Sequence, residues 1–433
     1  MIVVKFGGTS LAGVERMRAA ARIVAAHQRR DQMVVCVVSA MAGVTDALIR
    51  IGEHAAQGDP ERRLTTTALR AQHLTALTAL TTTTAATTAE TLPPFEAIWS
   101  ALEADLALLA SSRGATGPDT RDAQTAAIAR FSTWGERLSA LLFTAALRAE
   151  GVEAATFEGE PVIVSARREH EPMEVGAGSW AHLESSLPAT YAALAPQVAQ
   201  AAARGAALVA PGYLARSDAG EVITLGRNGS DASAALIAAA LRASAVYLYS
   251  DVAGIYRADP HVVPQADLLP TLTYGDAAAL ARLGARVLHP AAVRPLADHD
   301  IPLYLRSALA PAQPGTLIAS ARRLHALGAH DVTAPVWAIT AQLALASDTL
   351  LGLREGATSD SEVVMVTCPL LDHADDDVEE EAAPGRRFQL IVPANKAAAA
   401  QRELYAVLRH LDQHNALLGL MRMTPALHTM EVR

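Results

Sequence analysis

The chain opens on an unbroken apolar run, Ile2-Val-Val-Lys-Phe6, interrupted only by Lys5, and passes at once into Gly7-Gly8-Thr9-Ser10. A run of this kind reads as a strand buried on both faces, as in parallel sheets sandwiched between helices. The two glycines break the strand, and Thr9 or Ser10 is expected to cap a helix. Apolar residues Val14, Met17, Ala21, Ile23 and Val24 then predict a helix over Leu11–His27. Met33–Ser39 is a second buried strand, and Ala40-Met-Ala-Gly43 turns into a helix near Val44. Strand, glycine loop, helix, strand is the start of a doubly wound α/β domain.

Composition bounds the rest. At 433 residues the chain is too long for one ordinary core, so two or three domains are expected. Hydrophobic residues make up 51% and charged residues 19%, which is a globular composition. Aromatics are only 4%, so the core is built from Ala, Val, Leu and Ile. No long charge-free apolar run predicts a membrane span, and the start lacks the basic and apolar regions of a secretory leader. Cys36 and Cys368 make no disulfide framework, which fits a cytoplasmic protein. A net charge of −9 argues against nucleic-acid binding.

Residues 52–130 are rich in Ala, Thr and Leu and predict amphipathic helices inserted over one end of the sheet, with the Thr81–Thr88 tract as a loop between them. Glu136–Arg148 is another helix. The α/β rhythm resumes over 207–318: strands at Ala207–Tyr213, Val222–Leu225, Ala245–Ser250 and Ile301–Leu305, and helices at Asp231–Arg242 and Tyr274–Val287. After about residue 320 the pattern becomes α+β, with strands at Val336–Ala344, Glu362–Thr367 and Phe388–Val392 and a helix at Asn395–Leu411. The acidic run Asp372–Glu381 is expected to be a solvated loop rather than a metal site.

Three segments carry chemistry. Of the 36 basic residues all but two are Arg; the exceptions are Lys5 and Lys396. A lysine kept in an apolar strand beside glycines marks a place where a compact ammonium is needed and a planar guanidinium is not accepted. With Gly7 and Gly8 it suits a phosphate approaching the backbone, although a plain tight turn explains the glycines equally well. Gly226-Arg227-Asn228-Gly229-Ser230-Asp231 is a second strand-to-helix loop, in which Arg227 can grip a carboxylate while Ser230 or Asp231 caps the helix. Ser250-Asp251 and the following residues to Pro260 leave a strand at its carboxyl end, where open sheets bind ligands, and Tyr256 offers a wall for a base. No Walker-type phosphate loop is present.

Taken in order, Lys5–Ser10 (KFGGTS), Val38–Asp46, Trp134-Gly135-Glu136, Thr224–Asp231 (TLGRNGSD), Ser250–Pro260 (SDVAGIYRADP) and 284–290 (GARVLHP) closely resemble the aspartate kinases of the amino acid kinase superfamily, over roughly residues 1–318. The resemblance implies an αβα sandwich with a mostly parallel sheet over 1–318, carrying the 52–130 insertion. It also implies a smaller ACT-like regulatory or dimerising domain over 319–433, and a homodimer. The implied activity is ATP-dependent phosphorylation of the side-chain carboxylate of L-aspartate, with Mg²⁺. Alternatives are phosphorylation of another amino-acid carboxylate and a non-catalytic regulatory subunit.

By the same resemblance, Lys5 contacts the transferring phosphoryl group and Asp231 organises the transfer. Ser39, Thr45, Gly229 and Ser230 surround the amino acid. Glu136 pairs with its α-ammonium and Arg227 with its α-carboxylate. Gly7, Gly8, Thr9, Ser10, Ser250, Asp251, Tyr256, Arg286 and Val287 belong to the nucleotide side, and no protein-made metal cage is implied. Against the family pattern, Asn228 replaces a glycine, Arg286 a lysine, His261 an arginine and Ala279 a glutamate.

Overall fold

A computed structural model describes residues 1–30, 32–81, 85–111, 118–164, 186–226, 229–282, 288, 292–328, 336–337, 340–343, 363–371, 387–393, 399, 401–402, 404–406, 408–409 and 427–431. Its contacts divide the chain into two compact units: residues 1–253 with 298–314, and residues 254–297 with 315–433.

The first unit is built on six strands, in the order β3 (Ala154–Thr156), β5 (Ala207–Pro211), β2 (Val34–Val38), β1 (Ile2–Phe6), β8 (Val246–Ser250) and β10 (Leu303–Ser307). Every neighbouring pair is parallel. From β1 the chain goes to β2 on one side, while β8 and β10 lie on the other, so the β1–β8 boundary is the switch point where such sheets open a crevice at their carboxyl ends.

Alternation sorts β1 between two faces. Ile2, Val4 and Phe6 enter one core with Val34, Cys36 and Val38 of β2. That core is closed by α1 (Val14–Gln28) and α6 (Trp134–Ala149). Val3 and Lys5 face the other way, toward α8 (Gly229–Leu241), which packs against β1.

The helical insertion comprises the end of α2 (Val44–Gln57), α3 (Glu61–Thr81), α4 (Ala85–Ser111) and α5 (Pro118–Ser132). It forms a second helical layer over α2 and α6 and places Leu69, Leu77, Leu80, Phe95, Trp99 and Leu102 in the same core as β1. The Thr81–Thr88 tract is not a plain loop, because α4 already starts at Ala85. Packed between the strands β5, β3 and β2 and the helices α1, α3 and α4, nearly every residue of α6 from Gly135 to Leu147 is buried, which is how a centrally packed helix reads.

A small side sheet completes this unit. β4 (Ile163–Val164) pairs parallel with β6 (Leu214–Ser217), and β6 pairs antiparallel with β7 (Val222–Thr224). The segment expected to continue the main sheet at Val222–Leu225 therefore lies in a hairpin beside it. α7 (Leu187–Ala203) packs on α8.

The second unit contains the parallel pair β9 (Thr271–Leu272) and β11 (Thr316–Ile318), with α9 (Tyr274–Arg282), α10 (Val293–Ala297) and α11 (Ala321–Ala326). It also holds a sheet ordered β12 (Val336–Trp337), β14 (Val363–Leu371), β15 (Arg387–Pro393), β16 (Leu427–Glu431), with β13 (Thr340–Leu343) also on β14. β15 and β16 run parallel, and residues 401–402, 404–406 and 408–409 between them are helical. The acidic run Asp372–Glu381 lies outside the described residues.

Candidate active site

The site grows from the carboxyl end of β1. Lys5 Nζ stands 2.6 Å from Asp231 Oδ1, and both side chains are largely buried, at 14% and 10% exposure. Alternation on β1 aims the lysine at α8, and Asp231 lies in that helix's first turn. Four backbone N–H groups at a helix start lack intrahelical partners and carry the positive end of the helix dipole. Lys5 and the start of α8 thus form one electropositive corner with a single carboxylate inside it.

The glycines beside Lys5 have a packing reason. A Cβ on Gly8 would sit 2.8 Å from Ala40 O, so the β1 loop can touch the β2–α2 loop only as glycine. A Cβ on Gly7 would come within 3.6 Å of Lys5 Nζ, so the ammonium lies over that backbone. The Gly7 N–H, expected to face a phosphate, instead donates to Tyr249 O at 3.2 Å. The 3₁₀ turn Gly8–Leu11 follows, and its first N–H groups are the free donors of this loop. The capping expected of Thr9 or Ser10 does not occur. The residue preceding α1 is Gly13, at φ 115° and with no side-chain cap. Thr9 is exposed, and buried Ser10 donates from Oγ to Tyr249 O at 3.4 Å.

A second line of contacts runs across β2. Ser39 Oγ donates to Ser230 Oγ at 3.0 Å, joining the β2 end to α8. The Ala40 N–H donates to Glu136 Oε1 at 3.2 Å. Glu136 is 3% exposed, and its Oε2 is buried with no hydrogen-bond partner among the described residues. Burial pushes this carboxyl up to about 8; the Ala40 N–H opposes the shift but does not cancel it. The geometry therefore holds a carboxyl that gains its charge cheaply only when a cation is brought to it. Thr45 is half-buried on the first turn of α2.

Gly229, Ser230 and Asp231 all fall inside α8, so neither Ser230 nor Asp231 acts as its cap. Arg227 and Asn228 lie outside the described residues, as do Arg286 and Val287 with most of 284–290. Ser250 closes its own turn, donating from Oγ to Val252 O at 3.0 Å. Asp251 is exposed. In the second unit, Tyr256 is half-buried and pairs with Leu268 through an isolated antiparallel bridge. His261 is exposed, with its N–H on Asp259 Oδ1 at 2.9 Å, and Ala279 is buried.

Residues not anticipated from sequence also shape the corner. A Cβ on Gly212 would lie 2.8 Å from Ser230 Cβ, and Tyr213 beside it has a left-handed backbone, φ 70°. The Tyr213 N–H donates to Ser233 Oγ at 3.0 Å on α8. Pro211-Gly212 after an apolar strand was the available signal, since a turn at a strand's carboxyl end faces the crevice.

The model of the "Amino acid kinase family" matches residues 1–307. The lysine-sensitive aspartokinase 3 of Escherichia coli is 31% identical over 318 residues, which is 73% of this chain and 64% of that protein. The chloroplastic aspartokinase 2 of Arabidopsis thaliana is 31% identical over 324 residues, 74% of this chain and 54% of that one. The chain thus spans less than two thirds of the length of these relatives. A crystal structure of E. coli aspartokinase III in complex with aspartate and ADP superposes with a TM-score of 0.66 at 23% identity, over 94% of this chain and 99% of that one. At that identity the likeness is one of fold.

Proposed function

This chain belongs to the amino acid kinase family, and on that premise we propose that it is an aspartate kinase, converting ATP and L-aspartate to ADP and 4-phospho-L-aspartate. The observation that carries the reading is Glu136, a buried carboxyl with a free oxygen, linked through Ala40, Ser39 and Ser230 to the Lys5–Asp231 pair. One end of this constellation attracts a cation and the other an anion, which suits a zwitterion brought up to a phosphate. The relatives named aspartokinase support aspartate as that zwitterion.

The side-chain carboxylate of aspartate is already ionised near neutral pH, so its oxygen attacks the γ-phosphorus without a general base. The new P–O bond forms as the bond to the β–γ bridging oxygen breaks, and ADP leaves with those electrons. Charge then builds on the transferring oxygens, and catalysis is positioning plus electrostatic stabilisation. Lys5 supplies one full charge, and the N–H groups at the starts of the Gly8–Leu11 turn and of α8 supply partial ones. Glu136 holds the α-ammonium and Arg227 the α-carboxylate, while Ser39, Thr45, Gly229 and Ser230 shape the pocket. By the family resemblance, Gly7–Ser10, Ser250 and Asp251 are assigned to the nucleotide side, and Tyr256, Arg286 and Val287 carry the same assignment.

Mg²⁺ would neutralise phosphate charge. Asp231, already paired with Lys5, is one carboxylate and no cage, which fits an ion that arrives held mainly by the phosphates. Residues 1–318 form the catalytic domain of this reading, and 319–433 an ACT-like regulatory domain through which a cytoplasmic homodimer assembles.

The test is ADP formation measured against a panel of amino acids. ADP release that requires aspartate supports the reading. ADP release that requires a different amino acid assigns the chain to another carboxylate, and none with any amino acid makes it non-catalytic.

A further inference from the structure

An ion cluster centred on a buried carboxylate lies outside the site just described. Glu160, between β3 and β4, is 4% exposed at its side chain. Its Oε1 accepts from Arg137 Nη2 at 2.5 Å, and its Oε2 accepts from Arg216 Nη2. Burial pushes the Glu160 carboxyl up, but the two guanidinium groups more than offset this and keep it below the ordinary value. The surrounding backbone is pinned on both sides. The Glu158 N–H donates to Gln197 Oε1 on α7 at 2.9 Å, and the Arg216 N–H donates to Val162 O at 2.8 Å. Arg137 also lies over the Trp134 ring, 5.2 Å from its centre.

The two arginines come from elements that matter. Arg137 directly follows Glu136 on α6. Arg216 is on β6, paired through Val222 with β7, and the Leu225 N–H that follows β7 donates to Tyr213 O at 2.8 Å. That hairpin delivers the chain to Gly229, Ser230 and Asp231. We infer that Glu160 is a positioning residue for the amino-acid half of the site: by holding Arg137 and Arg216 on one carboxylate it fixes the spacing between Glu136 and the first turn of α8. A buried carboxylate held by two arginines is a rigid joint, because a charge-assisted hydrogen bond on each of its oxygens fixes the two guanidinium groups relative to one another.

This rests on the reading of Glu136 as the ammonium partner, and the test separates the two. Steady-state constants are measured for Glu160→Gln, for Arg216→Met, which cuts the joint at its more exposed end, and for the double variant. Each single change is expected to raise KM for aspartate about tenfold and leave KM for ATP within about twofold, with the double variant no worse than the worse single one. Amide exchange in the ligand-free protein is expected to speed up over residues 230–234 and stay unchanged over 3–6 in β1. An unchanged aspartate KM in Arg216→Met, a parallel rise of both KM values, or wild-type exchange over 230–234 would overturn the inference. If the wild type does not turn over aspartate, the substrate reading fails while the exchange experiment still decides the joint.

Discussion

Lys5 sits between Asp231, 2.6 Å from its Nζ, and the Gly7 backbone. Lys5→Arg keeps the charge but replaces a compact ammonium with a planar guanidinium, so turnover is expected to fall by about 10²–10³, equivalent to losing one transition-state contact of about 3–4 kcal/mol. Thermal unfolding should stay near wild type, and wild-type turnover in the variant would remove Lys5 from the phosphoryl centre. Glu136 makes a prediction about protons. With its carboxyl at about 8 it is mostly protonated at neutral pH in the ligand-free protein, while in the unfolded chain it titrates at 4.5. The native state therefore holds more protons between these values, and this group's stabilising contribution is full below 4.5 and lost as pH rises through about 8. An arriving ammonium reverses the preference, so aspartate binding at pH 7 should release close to one proton, a fraction that vanishes well above pH 8. Calorimetry in buffers of different ionisation enthalpy reads this directly. Glu136→Gln should release none and raise KM for aspartate more than KM for ATP.

At the scale of elements, the site depends on how closely α6 approaches the β2–α2 loop. A Cβ on Gly135 would fall 2.8 Å from Ala40 Cβ and 3.1 Å from Val44 Cγ1. Gly135→Ala should therefore push α6 outward and cost about 1–3 kcal/mol of stability in denaturant unfolding. It should also raise the aspartate KM, because Glu136 moves with the helix. An unchanged unfolding midpoint would mean that this contact is slack. The main sheet was legible because β1, β2, β5 and β8 are buried on both faces and so read as continuous apolar runs. The corner was legible because glycine and charge cluster where those strands end. Helix starts were misread where a hydroxyl residue stood near a helix that a glycine in fact precedes, as at Thr9, Ser10 and Gly13. The strand Leu427–Glu431 was missed because Leu, His, Thr, Met and Glu give a weak alternation and its pairing with β15 is remote. The Arg137–Glu160–Arg216 cluster had no local signal at all, since its partners are 23 and 56 residues apart.

For the whole molecule, the family match ends at residue 307, while the second compact unit combines 254–297 with 315–433. Among the described residues β16 pairs only with β15, so its outer edge is a place where a second copy can extend the sheet. The full chain is expected to sediment as a dimer and a chain ending at Ser320 as a monomer; a dimer in both would move the interface into the catalytic part. No helix among the described residues is long and apolar enough to cross a membrane.

The central claim is that the Lys5–Asp231 corner forms an acyl phosphate on the side chain of aspartate. Hydroxylamine intercepts such a product as it is made. With ATP, aspartate and hydroxylamine the wild-type protein is predicted to give aspartate β-hydroxamate, identified by mass, in step with ADP, and Lys5→Arg to give almost none. ADP formation without the hydroxamate, or an equal yield from the Lys5 variant, would contradict it.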